Sequence, residues 1–220
     1  MTEKSFIQHI VGFISAIENE QGPLLDELAL KCAKARKNGG LIHLFGSGHS
    51  VIPTMDAYPR YGSFVGIHPI FDPRLMWHNV LGPGGVRELL WLERTENYIF
   101  QVLQNEPINS GDILIALSHG GTNIAAIEAA EYAKKKGCFT IGITSMKNAD
   151  AASKHSRGLK LSTVVDQVID TGVPVEDAVY NVESWSRPVG GSSTIVATVI
   201  VQELITRIAK ALGEMGMEVP

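Results

Sequence analysis

Cysteines, basic clusters and long apolar runs are scarce in this chain, and each shortage excludes a class of protein. Only two of the 220 residues are cysteines, Cys32 and Cys138, and their spacing fits no metal-binding motif. Two isolated thiols are typical of a reducing compartment, so we expect a cytoplasmic protein, with no metal or other cofactor. The most apolar stretch, residues 195–208, is interrupted by polar and charged side chains, which predicts a buried helix and no membrane partner.

Basic residues are too few and too scattered for a nucleic-acid-binding surface. Lys and Arg number 19 against 23 Asp and Glu, which gives a formal net charge of −4. The one basic run, at residues 134–136, precedes a glycine and is typical of the last turn of a helix, where cations favour the helix dipole. No nucleic-acid partner is therefore expected.

Two common nucleotide-binding motifs are also absent. Gly46-Ser47-Gly48 begins like a Rossmann fingerprint, but Val51 occupies the position of the third glycine. The acidic residue expected about 20 positions further on is missing as well, since residues 63–68 contain none. No Gly-Lys-Ser or Gly-Lys-Thr triplet is present, which excludes a Walker loop.

Predicted strands and helices alternate along most of the chain. Short apolar segments bounded by turn residues predict strands over residues 41–45, 63–70, 112–117, 138–144 and 164–170. Helical periodicity predicts helices over residues 4–20, 24–38, 51–61, 98–105, 124–136 and 192–212. The alternation predicts an α/β fold with a doubly wound parallel sheet, in which ligands bind beyond the carboxyl ends of the strands.

The first two helices are predicted to form an N-terminal pair, because Gly22-Pro23 breaks the helical pattern between them. A chain of this length can bury one core, so we expect a single domain over residues 1–220. The helices of residues 1–38 would serve in packing or dimerisation. Residues 71–95 give no clear pattern, and residues 171–191 are predicted to be a long irregular connection.

Two loops rich in serine and glycine follow predicted strands, at residues 46–50 and 118–123. Glycines let a backbone approach an anion closely, hydroxyls add donors, and the start of the following helix favours negative charge. Either loop alone is also compatible with an ordinary helix cap and a tight turn. Since both follow strands of the same parallel sheet, together they favour one split site for a phosphorylated ligand.

Three segments resemble the signatures of the SIS (sugar isomerase) domain family. They are Leu-Ile-His-Leu-Phe-Gly-Ser-Gly-His-Ser at 41–50, Gly-Asp-Ile-Leu-Ile-Ala-Leu-Ser-His-Gly-Gly-Thr-Asn at 111–123, and Gly-Gly-Ser-Ser-Thr-Ile at 190–195. The chain is most similar to the UPF0309 branch, which is phosphoheptose isomerase-like. The resemblance implies a three-layer α-β-α sandwich with a five-stranded parallel sheet of flavodoxin-like topology. It also implies phosphosugar binding and a homodimer or homotetramer, with sites near the subunit interface.

The resemblance and the loop chemistry together give a set of candidate phosphate- or sugar-binding residues. They are Ser47, Gly48, Ser50, Ser118, His119, Gly120, Gly121, Thr122, Asn123, Ser192 and Ser193. The family commonly has serine or threonine where this chain has His119, which adds a titratable group to the loop. Phosphoheptose isomerases use a histidine of the last helix, whereas residues 192–212 contain none, which argues against that particular activity.

Aldose–ketose isomerisation needs a base to move a proton between adjacent carbons and an acid to help open the sugar ring. The candidate catalytic residues are Glu183, Asp56 and His49. Glu183 resembles the glutamate that precedes a similar turn in some sugar-phosphate isomerases and etherases. Asp56 also fits an ordinary polar helix face, and His49 also fits a loop histidine with a backbone partner. His43 lies in an apolar strand and is predicted to be a hydrogen-bonded core residue.

The sequence leaves three functions open. The leading hypothesis is a phosphosugar-binding enzyme of the aldose–ketose isomerase type. An etherase or deaminase acting on an amino-sugar phosphate would use the same phosphate site with other acid–base groups. A non-catalytic sugar-phosphate sensor is the third possibility. Such regulators usually carry a helix-turn-helix domain, and the first 38 residues are too short for one, so a sensor would act through a partner.

Overall fold

A five-stranded parallel sheet forms the centre of the computed structural model, which describes residues 4–77 and 84–219. The strands are β1 (Ile42–Gly46), β2 (Ile67–Ile70), β3 (Ile113–Leu117), β4 (Phe139–Thr144) and β5 (Gln167–Asp170). Their order, β2-β1-β3-β4-β5, is the flavodoxin-like arrangement, in which the winding reverses between β1 and β3. The predicted fold is confirmed, and the reversal marks the place where such sheets bind ligands.

Helices cover both faces of the sheet. They are α1 (Phe6–Lys37), α2 (Val51–Ala57), α3 (Gly85–Leu92), α4 (Tyr98–Leu103), α5 (Ile124–Lys135), α6 (Leu161–Val164) and α7 (Ser193–Glu214). Helices α1, α2 and α7 pack on one face, where Leu44 and Ile115 point, whereas α3 to α6 pack on the face of Phe45 and Leu114. None of the helices described is long and apolar enough to cross a membrane.

The N-terminal helical region is confirmed, but the predicted break at Gly22-Pro23 is wrong. Helix α1 runs unbroken for 32 residues with Pro23 inside it. An internal proline removes one backbone hydrogen bond and crowds the preceding turn, which costs about 3 kcal/mol. Beyond the proline, Leu25 and Leu28 are fully buried, and Arg207 of α7 donates to the Gly22 carbonyl at 3.2 Å. Packing against α7 therefore overrides the local signal.

The regions without a clear sequence pattern contain short elements. Residues 71–95 include a 3-10 turn at Pro73–Leu75 and helix α3, while residues 78–83 lie outside the described part. The connection 171–191 is less irregular than predicted, because it carries an antiparallel hairpin of β6 (Ala178–Tyr180) and β7 (Val189–Gly191). The end of α3 and Asp177, which directly precedes β6, both line the site described next.

Candidate functional site

A cavity of about 250 Å³ opens at the carboxyl ends of β1 and β3. Its walls come from the 46–50 and 118–123 loops, the segment around Trp77, the end of α3, the start of α7, and Asp177, which directly precedes β6. The lining residues are Ser47, Gly48, His49, Ser50, Trp77, Leu90, Glu93, Ser118, His119, Gly120, Asn123, Asp177 and Ser193. The two glycine-rich loops thus face one common cavity at the point where the winding of the sheet reverses.

The 118–123 loop is fixed through its carbonyl groups, which leaves several of its amides available. The His119 carbonyl accepts a hydrogen bond from the Ser145 amide at 3.1 Å and another from the Asn148 side chain at 3.3 Å. The Gly121 carbonyl accepts from the Leu161 amide at 2.8 Å. The loop amides that find no acceptor among the described residues are those of His119, Gly120, Thr122 and Asn123. Open amides at the start of a helix such as α5 favour an anion.

Gly121 makes this loop conformation possible. Its φ of +62° lies in the left-handed region that glycine adopts without strain. A Cβ atom at this position would also lie 2.9 Å from the Thr144 hydroxyl, which is closer than a carbon atom tolerates. Any larger residue at position 121 would therefore strain the backbone and displace the loop.

The 46–50 loop is held in place by hydrogen bonds from two of its amides. The Gly48 amide donates to the Leu75 carbonyl at 2.8 Å, and the Ser50 amide donates to the Ser47 carbonyl at 3.1 Å. A Cβ atom at Gly46 would lie 2.1 Å from the Ser50 carbonyl oxygen, so only glycine fits there. Among the described residues, the Ser47 and His49 amides find no acceptor, so this loop offers two open amides beside its side chains, whereas the 118–123 loop offers four.

Glu93, which directly follows α3, is the most deeply placed carboxylate of the cavity. Its side chain accepts a hydrogen bond from the Ser47 hydroxyl at 2.9 Å, and its carbonyl accepts one from the Ala125 amide at 3.1 Å. Only 4% of the residue is exposed. Burial raises the pKa of the Glu93 carboxyl, against the opposing effects of the Ser47 hydrogen bond, the Arg94 charge and the Asn123 side chain. A carboxyl of this kind is suited to proton transfer near neutral pH.

The two loop histidines have different surroundings. His49 is exposed, and its ring centre lies 4.6 Å from that of Trp77. His119 Nε2 lies 3.3 Å from the Val175 carbonyl, which assigns a proton to Nε2 because a carbonyl can only accept. Nδ1 of His119 is buried and has no partner among the described residues. Both rings line the cavity, so both can serve a ligand there.

Asp177 occupies the N-terminus of α7. Its carboxylate accepts from the Ser192 and Ser193 amides at 2.9 and 2.6 Å, and its carbonyl accepts from the Ser192 hydroxyl at 2.8 Å. Ser192 is completely buried and does not line the cavity. The prediction of Ser192 as a phosphate ligand is therefore corrected, since its donors already serve Asp177. Ser193 does line the cavity, but its amide serves the same carboxylate.

The cavity brings together most of the residues predicted from the two loops. Those that line it are Ser47, Gly48, His49, Ser50, Ser118, His119, Gly120 and Asn123. Gly121 and Thr122 shape the 118–123 loop without lining the cavity themselves. Their contacts with a phosphate stay a prediction.

Two of the three predicted catalytic residues lie elsewhere. Asp56 pairs with Arg60 and accepts a hydrogen bond from the Gln202 side chain at 2.8 Å, so it serves the packing of α2 against α7. Glu183 is exposed in the turn between β6 and β7 and does not line the cavity. Neither carboxylate is placed for catalysis within this chain. Of the three candidates, only His49 lines the cavity.

Sequence reasoning missed Glu93 because residues 71–95 carry no clear strand or helix pattern. The signal that was present is a charged residue directly after Leu89, Leu90 and Leu92, at the end of an apolar helical run. Leu89 and Leu92 are buried, and Glu93, which follows them directly in the chain, is buried as well. A glutamate that continues an apolar run is a candidate for a buried functional group.

The charges that line the cavity are unusual for a site that accepts an anion. Glu93 and Asp177 are the carboxylates, and no lysine or arginine lines the cavity in the described part of the chain. Within the same part, no group of three or more His, Cys, Asp or Glu side chains is arranged to hold a metal ion. Recognition of an anion would thus depend on backbone amides, hydroxyls and the two histidines.

Comparison with solved structures finds the same fold in sugar-phosphate proteins. Phosphoheptose isomerase GmhA from Neisseria gonorrhoeae matches with a TM-score of 0.60 at 13% identity, over 92% of this chain and 94% of that one. The NanR protein of Vibrio vulnificus, solved in complex with ManNAc-6P, matches with a TM-score of 0.50 at 15% identity, over 96% of this chain and 66% of that one. At these identities the likeness concerns the fold alone.

Sequence comparison is more specific. A UPF0309 protein of Listeria innocua is 35% identical over 212 residues, which cover 96% of this chain and 83% of the relative. The SIS domain model matches residues 5–145, which include both loops and Glu93. The chain therefore belongs to the SIS domain family, and its curated relatives are UPF0309 proteins.

Proposed function

We propose that this protein binds a phosphorylated sugar in the cavity and converts it by proton transfer, as an aldose–ketose isomerase or a closely related enzyme. The phosphate would bind the open amides of the 118–123 loop, and the sugar carbons would lie toward Glu93. One observation carries the proposal: the buried Glu93 carboxyl faces the same cavity as a loop in which four amides have no acceptor in the described part of the chain.

The chemistry requires one proton to move between two adjacent carbons. A carboxylate removes the proton from the hydroxyl-bearing carbon beside the carbonyl, which gives an enediol, and the same carboxyl returns the proton to the former carbonyl carbon. Its raised pKa suits Glu93 to both steps, because the group acts first as a base and then as an acid. A second group must move the proton between the two sugar oxygens, and His49 and His119 line the cavity as candidates.

The binding half of the proposal is tested by the melting temperature of the protein with a panel of sugar phosphates. Each is compared with the same sugar without its phosphate. A ligand at 100 times its Kd stabilises the native state by about 2.7 kcal/mol, which is readily measured. The catalytic half is tested by incubation with the ligands that bind and analysis of the aldose-to-ketose ratio. Tight binding without turnover would support the alternative of a sensor.

The charges of the cavity favour a second candidate function, conversion of an amino-sugar phosphate by an etherase or a deaminase. Glu93 and Asp177 give the cavity two carboxylates without a lysine or arginine among its described lining residues. A sugar that carries an ammonium group would offset these charges, whereas a neutral sugar would not. Amino-sugar phosphates and neutral sugar phosphates of the same carbon skeleton should therefore be compared directly in the same assay.

A further inference from the structure

We infer that the 46–50 loop positions the Glu93 carboxyl through Ser47, and that the 118–123 loop binds the phosphate. This inference rests on the proposed function for its catalytic consequence. Ser47 thus has a role different from the phosphate contact expected from the sequence. The two loops look alike in the sequence, but one positions the carboxyl and the other binds the phosphate.

The Ser47 hydroxyl is already bonded to Glu93. It donates to Glu93 Oε2 at 2.9 Å, in a pair of residues that are 6% and 4% exposed. A serine hydroxyl has a single proton to donate. Because that proton already serves a buried carboxylate, the same hydroxyl cannot also donate to a phosphate oxygen. A phosphate beside Ser47 would moreover stand next to the negative charge of Glu93.

The backbone of Gly48 lies beside the Glu93 carboxyl and the Trp77 ring. A Cβ atom added at Gly48 would lie 3.8 Å from Glu93 Oε2 and 3.8 Å from the ring of Trp77. The φ of Gly48 is +59°, which a residue with a side chain seldom adopts. The amide of Gly48 donates to the Leu75 carbonyl and so is not available to an anion. The glycine instead permits the loop conformation beside the Glu93 carboxyl.

Glu93 is held through both its main chain and its side chain. Its main chain is fixed by the Ala125 amide at the start of α5, and its side chain is fixed by Ser47. The Asn123 side chain lines the same cavity and partly opposes the rise that burial causes in the pKa of the Glu93 carboxyl. Asn123 belongs to the 118–123 loop, four amides of which are open among the described residues. The carboxyl and the phosphate-binding amides are therefore positioned by the same helix start.

The test uses Ser47→Ala in the full chain, with Ser110→Ala as the matched control at an exposed serine before β3. The carbon-13 resonance of the Glu93 side-chain carboxyl, identified by its loss in Glu93→Gln, is followed through a pH titration. Loss of the Ser47 bond removes a donor that favours the carboxylate, so the pKa of Glu93 should rise further. Affinity for inorganic phosphate should stay within about twofold of wild type, because the open amides are untouched.

Two results would overturn the inference. One is an unchanged Glu93 titration in Ser47→Ala, and the other is a loss of phosphate affinity of tenfold or more. Ser47→Thr, which keeps a hydroxyl, should restore the wild-type titration. If turnover is found, the acidic limb of its pH profile should move upward in Ser47→Ala together with the Glu93 pKa. If the wild type binds no phosphosugar at all, the proposed function fails, whereas the titration still decides the role of Ser47.

Discussion

The Ala125 amide donates to the Glu93 carbonyl at 3.1 Å, so the start of α5 and the most buried carboxylate of the cavity are joined directly. Ala125 follows the 118–123 loop by two positions, whereas Glu93 lies some thirty residues earlier in the chain. The bond therefore links the loop proposed to hold the phosphate to the residue proposed to move the proton. A phosphate on that loop would find the carboxyl already in place.

Replacing Glu93 by glutamine should abolish conversion of the sugar while leaving phosphate binding intact. A positioned proton-transfer group contributes about 10²–10⁴-fold to the rate, and an amide cannot accept the proton. Glutamine keeps an oxygen that can accept from the Ser47 hydroxyl, so the fold should persist. The measurement is the rate of isomer formation, together with the rise in melting temperature that the substrate produces.

Glu88→Gln is the matched control for that variant. Glu88 lies on α3, five positions before Glu93, and does not line the cavity. Its replacement should leave both the rate and the ligand-dependent melting shift unchanged. Full activity in Glu93→Gln would refute the role of this carboxyl in proton transfer.

Gly121→Ala should weaken phosphate binding more than its effect on stability explains. The φ of +62° imposes strain of about 1–2 kcal/mol on an alanine, and its Cβ would press on Thr144. Gly158→Ala is a matched control, because Gly158 has a φ of +69° but open space around it. Both variants should lose unfolding free energy in urea. Only Gly121→Ala should lose the stabilisation by inorganic phosphate, and an equal loss in both would contradict the placement of the anion.

Asp177→Asn should separate the structural and the electrostatic roles of this residue. Asparagine keeps an oxygen for the Ser192 and Ser193 amides and tolerates the φ of +65° observed at this position. Asp177→Ala removes the cap and should cost about 1–2 kcal/mol in urea unfolding. If the ligand is an amino-sugar phosphate, Asp177→Asn should weaken its binding while strengthening that of a neutral sugar phosphate. Equal effects on both ligands would count against the amino-sugar candidate.

The stability of the protein should fall on acidification because of a buried pair at the opposite end of the sheet. His43 Nε2 lies 3.0 Å from Asp112 Oδ2, and His43 is completely buried. Burial lowers the pKa of His43, although Asp112 opposes the shift. The unfolded chain therefore binds a proton at this histidine below about pH 6.5, whereas the native state binds it only at a lower pH. The free energy of unfolding consequently declines as the pH drops from that value towards the pKa of native His43.

Asp112 adds a second loss at lower pH. Burial opposes its ionisation, but hydrogen bonds from His43 and from the Leu41 and Asn109 amides outweigh this and lower the pKa of Asp112. Its stabilising effect is present above its ordinary pKa of about 3.9 and is lost as the pH falls through the lower native value. The free energy of unfolding, measured in urea at several values between pH 7 and pH 5, should change less with pH in His43→Gln than in wild type. His9→Gln, at a partly exposed histidine of α1, should keep the wild-type slope.

The arrangement of the sheet follows from local patterns that the sequence displays clearly. The apolar runs that become β1 and β3, and the alanine-rich helix α5, end within one or two residues of their predicted limits because glycines and asparagines bound them. His43 is the buried, hydrogen-bonded residue that its apolar strand predicts. Helix α1 could not be predicted as one element, since its continuity past Pro23 depends on packing against α7, which is distant in sequence.

The candidate site was only half visible in the sequence for the same reason. Loop glycines and hydroxyls are local signals, so the two loops could be located. The role of a carboxylate depends instead on which of many the fold buries. Asp56 is near the 46–50 loop in sequence and Glu183 precedes the 190–195 segment, but Asp56 is paired with Arg60 and Glu183 is exposed. Glu93 is buried and bonded to Ser47 and Ala125, which are distant from it in sequence.

The position of a bound sugar phosphate tests the central claim most directly. A crystal structure with a phosphosugar that raises the melting temperature should place phosphate oxygens within hydrogen-bond distance of the His119, Gly120, Thr122 and Asn123 amides. The same structure should place the sugar carbons beside the Glu93 carboxyl, with Ser47 still bonded to it. A phosphate bound to the 46–50 loop, or a ligand that does not approach Glu93, would contradict the account.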